Sequence, residues 1–151
     1  MGEVYHVLIP RDPQFLPNEP DAVLQVVVRM YPAAENITLD ISAGAELRDC
    51  GAHLEAIRCP SCHADIAIED WQELMSGDYD EPRNCFRLTP VTVSCCGHRS
   101  PLNELIYVAP MGFSRCAISI LSPGREALGV EELAQLSLVV GSPVMLIDRL
   151  L

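Results

Sequence analysis

Two short cysteine motifs constrain this chain more than any other feature of its sequence. Cys59-Pro60-Ser61-Cys62 is followed, after thirty-two residues, by Cys95-Cys96-Gly97-His98. Two residues between two thiols allow a tight turn to direct both sulfurs at one tetrahedral metal ion, and a distant second pair completes the coordination. The sequence therefore predicts a closed, structural Zn²⁺ site, and any fold must bring these two motifs together.

The second motif leaves the fourth ligand open. Cys95 and Cys96 are adjacent, and adjacent side chains point apart in an extended chain. Both can bind one ion only where the backbone turns sharply, and Gly97 allows such a turn. The alternative ligand set, which restores the two-residue spacing, consists of Cys59, Cys62, Cys95 and His98. Spacing alone does not decide between the two sets.

Every basic residue is arginine, which excludes several kinds of chemistry. The chain of 151 residues has 21 acidic and 10 basic side chains and contains no lysine. It therefore has neither a P-loop lysine for a nucleotide phosphate nor an amine for a Schiff base. The net charge of −11 disfavours binding to a phosphate backbone, which requires clustered positive charge. Nucleic acid is not an expected partner.

Cysteine usage predicts a reducing compartment. Seven cysteines is an odd number, and four of them stand in two tight groups, which favours reduced thiols and a metal over disulfides. The first residues carry an acid at position 3 and lack the basic start and apolar stretch of a secretory signal. The longest uncharged run, 133–147, is too short for a membrane span. We expect a cytoplasmic protein.

The order of hydrophobic patterns predicts one α+β domain over residues 1–151. Apolar residues make up 49% of the chain, which excludes disorder. A strand, a helix and a strand are predicted at 4–9, 18–31 and 37–41, and again at 114–121, 130–140 and 144–147. Two such units form a ferredoxin-like split βαβ sheet, with four antiparallel strands and both helices on one face.

The middle of the chain, about 54–110, is predicted to be a zinc-ribbon-like insertion into this sheet. Acids in a first turn, an apolar face and a final glycine predict a helix over 69–77, with Trp71 as an anchor of the core of the insertion. A strand broken at Pro90 is predicted over 86–94, and a helical turn after Ser100. Outside the motifs, Cys116 is expected in the core, whereas Cys50 and Cys85 have no partner pattern.

Five segments between residues 54 and 125 form a distinctive set: Cys59-Pro60-Ser61-Cys62, the helix with Trp71, Val93-Ser94-Cys95-Cys96-Gly97, Ser100-Pro101-Leu102-Asn103-Glu104-Leu105 and Gly112-Phe113-Ser114-Arg115. Together they resemble a family of uncharacterised bacterial proteins that pairs CPxC with CCG. In that family the residue matching His98 is not regularly histidine. The resemblance therefore implies Cys59, Cys62, Cys95 and Cys96 as the Zn²⁺ ligands.

Some members of that family are labelled sugar transporter ATPases. This chain has no lysine and no G-x-x-x-x-G-K-[ST] motif, so the label is not adopted for it.

The predicted function is binding, as a zinc-stabilised adaptor or accessory protein without catalytic residues. Seven acids fall within seventeen residues without a base, and such a surface suits a basic protein partner. They are Asp65, Glu69, Asp70, Glu73, Asp78, Asp80 and Glu81. The alternative is a thiol-redox or zinc-dependent enzyme that uses the same cysteines. CPSC is similar to a redox pair, but an alternating stretch at 63–68 follows it where a redox pair is followed by a helix.

Overall fold

The structure is a computed structural model that describes residues 2–151. Its strands are β1 (Val4–Pro10), β2 (Asn36–Arg48), β3 (Ala56–Arg58), β4 (Tyr79–Asp80), β5 (Cys85–Phe86), β6 (Val91–Thr92), β7 (Arg99–Ser100), β8 (Ile106–Val108), β9 (Gly112–Leu121) and β10 (Val144–Leu150). Its helices are α1 (Pro20–Met30), α2 (Ile68–Asp78) and α3 (Val130–Val140), with one 3₁₀ turn at Leu102–Glu104. The predicted mixed α+β class is confirmed.

A six-stranded antiparallel sheet in the order β10-β1-β9-β2-β5-β4 forms the centre of the molecule. Its four long strands, β10, β1, β9 and β2, come from the two ends of the chain. β2 pairs with β9 over most of its length, with an irregularity between Ile41 and Glu46 that bends the strand. Two small sheets, β3 with β8 and β6 with β7, lie in the middle segment.

One face of the sheet is covered by helices α1 and α3. Leu8, Ile118 and Val144 project from three strands into a buried cluster with Val27 of α1 and Leu136 of α3. The period-two alternation of each strand places these residues on one face, and the helical stripe of each helix meets them.

The opposite face of the sheet, called the back face below, is covered by the segment between β2 and β9. Val7 and Ile9 of β1 belong to a second buried cluster with Cys59, Trp71 and Leu102. The middle segment therefore shares its core with the sheet. Among residues 2–151, no helix is long and apolar enough to cross a membrane.

Several element boundaries lie close to the predicted ones, and others do not. The helix predicted over 130–140 is α3, and the helix predicted over 69–77 is α2. The prediction of a single broken strand over 86–94 is wrong, since two short strands are separated by a loop in which Leu88 has φ 56°. At the start of α1, Glu19 occupies the N-cap without a side-chain hydrogen bond.

Candidate metal centre

The first cysteine motif forms the tip of a narrow hairpin. The hairpin begins with β3 and closes through a bridge between Arg58 and Asp65. At its tip the Cys59 N–H donates to the Ala64 carbonyl over 3.0 Å, and the His63 N–H donates to the Cys59 carbonyl over 3.0 Å. His63 has φ 62°, and the Ser61 N–H donates to Cys59 Sγ over 3.4 Å. This turn directs both thiols of the motif to one side.

The second motif forms a matching turn on the hairpin of β6 and β7. The Val93 N–H donates to the His98 carbonyl over 3.0 Å, and the Gly97 N–H donates to the Val93 carbonyl over 2.9 Å. Gly97 has φ 74°, which glycine adopts without strain. The backbone hydrogen bonds of the two turns correspond, so that Val93 has the position of Cys59 and Cys96 has the position of Cys62. Cys95 stands where the first turn has Ser61.

The two turns face each other and bring four sulfurs together. The Sγ atoms of Cys59, Cys62, Cys95 and Cys96 all lie within 4.8 Å of one another. Cys59 and Cys96 are separated by 3.7 Å, and Cys62 and Cys95 by 3.4 Å. Four sulfurs bound to one Zn²⁺ at about 2.3 Å are roughly 3.8 Å apart. The donor set and its dimensions therefore fit a tetrahedral thiophilic ion.

Burial differs among the four thiols. Cys59 is fully buried beneath its turn, whereas Cys62, Cys95 and Cys96 are exposed. The group of four thiols therefore lies at the surface of the middle segment, with Cys59 anchored in the back-face core.

The electrostatics of the cluster favour one thiolate but not four. The backbone N–H groups of Cys62 and Ser61 lower the pKa of Cys59 to about 6. The adjacent thiol of Cys62 raises the pKa of Cys95 to about 12. The backbone N–H of His98 lowers the pKa of Cys96, but burial and the thiols of Cys59 and Cys62 raise it by more, and the net pKa is raised. Four thiolates at this spacing require a bound cation.

The remaining residues around the motifs have other contacts. His98 is not part of the group of close donor atoms, and its carbonyl closes the second turn. Arg58 pairs with Asp65 at 3.0 Å, so its charge is already partly compensated. Trp71 is buried and donates from Nε1 to the Tyr107 hydroxyl over 3.1 Å, which confirms it as a core residue. Cys116 is also buried, as predicted.

Two cysteines outside the two motifs are also core residues. Cys50 is 0% and Cys85 is 3% exposed, in the region where the middle segment leaves β2 and approaches it again. Cys85 packs so closely on Gly44 that a Cβ at Gly44 would overlap its sulfur. Neither position is part of a periodic apolar pattern, so the sequence offered no signal for its burial.

The run of seven acids divides into two kinds. Asp78 is 3% exposed and accepts hydrogen bonds from the Leu88 and Thr89 N–H groups. Asp80 is largely buried and lies 3.7 Å from Arg87. These two residues stabilise the fold and do not belong to an exposed acidic surface. The exposed acids are Asp65, Glu69, Asp70, Glu73 and Glu81.

Comparison with known proteins gives no match: no family model, no curated protein and no solved structure matches the chain.

Proposed function

We propose that the four cysteines hold a structural Zn²⁺ ion that fastens a zinc-ribbon-like insertion, about 54–110, to the back face of a ferredoxin-like sheet in a single domain. The observation that carries this proposal is the group of four Sγ atoms within 4.8 Å. The proposal of a zinc-ribbon-like segment is supported by two hairpins whose turns have equivalent backbone hydrogen bonds. The strand order β10-β1-β9-β2, with α1 and α3 packed on one face, supports the ferredoxin-like arrangement.

Metal analysis of the purified full chain tests the ion. We expect about one zinc per chain, and no iron–sulfur absorption, although four thiolates can hold either. A chain without metal that contains a readily reduced disulfide between Cys59 and Cys62 would instead indicate a thiol-redox protein.

Single substitutions test the ligand set. Cys96→Ala is expected to lose the zinc, because the three remaining thiols leave an open position. His98→Ala is the matched control, since only its backbone takes part in the turn. Retention of zinc by Cys96→Ala together with its loss from His98→Ala would show that the alternative set is correct.

The function served by this zinc-held segment is proposed to be binding of a basic protein. Glu69, Asp70 and Glu73 lie on one side of α2 and are exposed, and no ion pair with an arginine is formed by any of them among residues 2–151. Unpaired surface charge chiefly accelerates encounter with a partner of opposite sign. We call these three residues the acidic face of α2.

Affinity capture from native cell extract tests the acidic face of α2. We expect a partner that is retained at low salt and released as salt rises. The triple variant Glu69→Gln, Asp70→Asn, Glu73→Gln should lose this partner and retain its zinc. A control with the same change in charge elsewhere is Asp21→Asn, Glu126→Gln, Glu131→Gln. Equal capture by both triple variants would contradict the docking role.

A further inference from the structure

A small cavity on the back face lies beside the middle segment and away from the four cysteines. Its volume is about 170 Å³. The floor comes from the two central strands, with Val7 of β1 and Ala117 and Ser119 of β9. The walls come from the strands on either side, with Arg48 at the end of β2 and Arg149 of β10. The small side chains at 117 and 119 create the hollow.

Each of the two arginines is held in place by groups that use only some of its N–H donors. Arg48 donates from Nε and Nη2 to Ser114 and from Nη1 to Asp40, and its Nη1 also lies 3.6 Å from the Glu46 carboxylate. Arg149 donates from Nε to Asp49 over 2.7 Å, and its guanidinium lies over the Tyr5 ring at 5.6 Å.

Free donors therefore remain at the cavity. A guanidinium has five N–H groups in one plane, and both terminal nitrogens of Arg149 are without a partner among residues 2–151. Arg48 retains one N–H on Nη2, whereas its Nη1 lies against the carboxylates of Asp40 and Glu46. The hydroxyl of Ser119 at the floor makes no hydrogen bond with any residue that the structure describes. The terminal nitrogens of Arg149, one N–H of Arg48 and a hydroxyl suit the oxygens of a small anion.

The volume and local charge limit what such an anion can be. A water molecule takes about 30 Å³ in the liquid, so the cavity has room for roughly five or six waters. This fits a phosphate or a short carboxylate, and it is below the roughly 300 Å³ of sites for larger cofactors. The carboxylates of Asp40, Glu46 and Asp49 outnumber the two guanidiniums, so directed hydrogen bonds and not net charge must hold the anion.

We propose that this cavity is a binding site for one small oxyanion, a phosphate or a carboxylate, held by Arg48, Arg149 and Ser119. The site uses none of the four cysteines and goes beyond the proposed metal function. A chain with a net charge of −11 repels anions in general, so saturable binding of an anion to it requires a built site.

Calorimetric titration of the full chain tests the site, with inorganic phosphate in one arm and succinate in the other, each at constant ionic strength in chloride. We expect saturation at one anion per chain in at least one arm, which also identifies the ligand class. Arg149→Gln should weaken this binding by about tenfold or more, because it removes the free bidentate donor. Arg83→Gln is the control with the same change in charge, since Arg83 is exposed and its side chain forms no ion pair among residues 2–151.

A second variant keeps the test valid if Arg149→Gln perturbs the fold. Ser119→Val fills the hollow with a residue that strands favour and leaves both arginines with their carboxylate partners. It is expected to weaken the same binding while unfolding at the same denaturant concentration as the parent. Absence of saturation in both arms, or equal affinity in the parent and Ser119→Val, would overturn the proposal.

Discussion

At the scale of single residues, the two cysteine turns have the same backbone hydrogen bonds but carry their thiols at different positions. Cys59 and Val93 occupy corresponding places, and both are buried. The second turn therefore has its first thiol two residues later, at Cys95. Adjacent cysteines can share one ion here because the turn at Gly97, with φ 74°, replaces the extended backbone that would separate them.

This correspondence predicts that the ligand at Cys95 can be moved to position 93. Cys95→Ser alone should lose the metal. The double variant Val93→Cys, Cys95→Ser should regain about one zinc per chain, because a thiol at position 93 would stand in the second turn where Cys59 stands in the first. Zinc content after gel filtration measures both. If the double variant binds as little zinc as the single variant, the two turns are not equivalent in how they position a metal ligand.

His6 is a buried titratable residue on the helix-covered side of the sheet. Its Nδ1 lies 2.9 Å from the Tyr31 hydroxyl, and it is 5% exposed. Burial lowers the pKa of His6 below 6.5, because Asp148 raises it by less than burial lowers it and Arg125 lowers it further. Between this lowered pKa and 6.5, the unfolded chain binds more protons at this position than the folded one.

His6 is therefore expected to reduce stability as pH falls below about 6.5. The variant His6→Asn retains a hydrogen-bonding group for the Tyr31 hydroxyl but does not titrate. Its free energy of unfolding should therefore fall less between pH 7.5 and pH 5.5 than that of the parent. Urea unfolding of both proteins at the two pH values measures the difference, and the pH dependence of the metal site is common to both. Equal decreases would contradict the prediction.

At the scale of elements, one buried carboxylate defines the loop between β5 and β6. Asp78, the last residue of α2, accepts bonds from the Leu88 N–H at 2.8 Å and from the N–H and hydroxyl of Thr89 at 3.2 and 3.0 Å. These bonds hold the backbone where Leu88 has positive φ. The sequence predicted a strand broken at Pro90 over 86–94, because a hydrogen bond from a distant side chain is not visible in the local sequence pattern.

Removal of this carboxylate is expected to destabilise the middle segment. Asp78→Ala should lower the free energy of unfolding by about 2–3 kcal/mol, because it leaves buried donors without a partner. Asp78→Asn retains one acceptor oxygen and should cost less. Asp70→Ala on the exposed side of the same helix is the control and should change stability by no more than about 0.5 kcal/mol. Urea denaturation measures all three, and similar losses for Asp78→Ala and Asp70→Ala would contradict the assigned role.

The observed helices and strands also show which features of the fold can be predicted from local sequence patterns. The bounds of α3 match the predicted ones because its apolar stripe ends at Gly141, which adopts φ 93°. β2 continues to Arg48, well past the predicted alternation, because its second half pairs with β9 after the irregularity at Ile41 and Glu46. The four close cysteines were predictable by their type and tight grouping. The equivalence of Cys59 and Val93 was not, since it exists only in the hydrogen bonds of the backbone.

At the scale of the whole molecule, two hydrophobic clusters lie on opposite faces of one sheet and depend on different parts of the chain. The helix-side cluster contains no residue from 50–111. The back-face cluster combines sheet residues such as Val7 and Phe113 with residues of the middle segment such as Cys59, Trp71 and Leu102. The strands of the middle segment are short, so the metal is expected to supply much of its stability.

Removal of the metal should therefore loosen one face of the sheet and not the other. Trp71 is the single tryptophan, is 8% exposed, and belongs to the back-face cluster. A strong chelator is expected to shift its fluorescence to longer wavelength and to accelerate amide exchange across 54–110. Amides of α1 and α3 should stay protected, because their core contains no residue of the middle segment. Readdition of zinc should restore both signals. Simultaneous loss of protection throughout the chain would show that the two clusters form one cooperative unit, and an unchanged Trp71 spectrum would show that the middle segment folds without the ion.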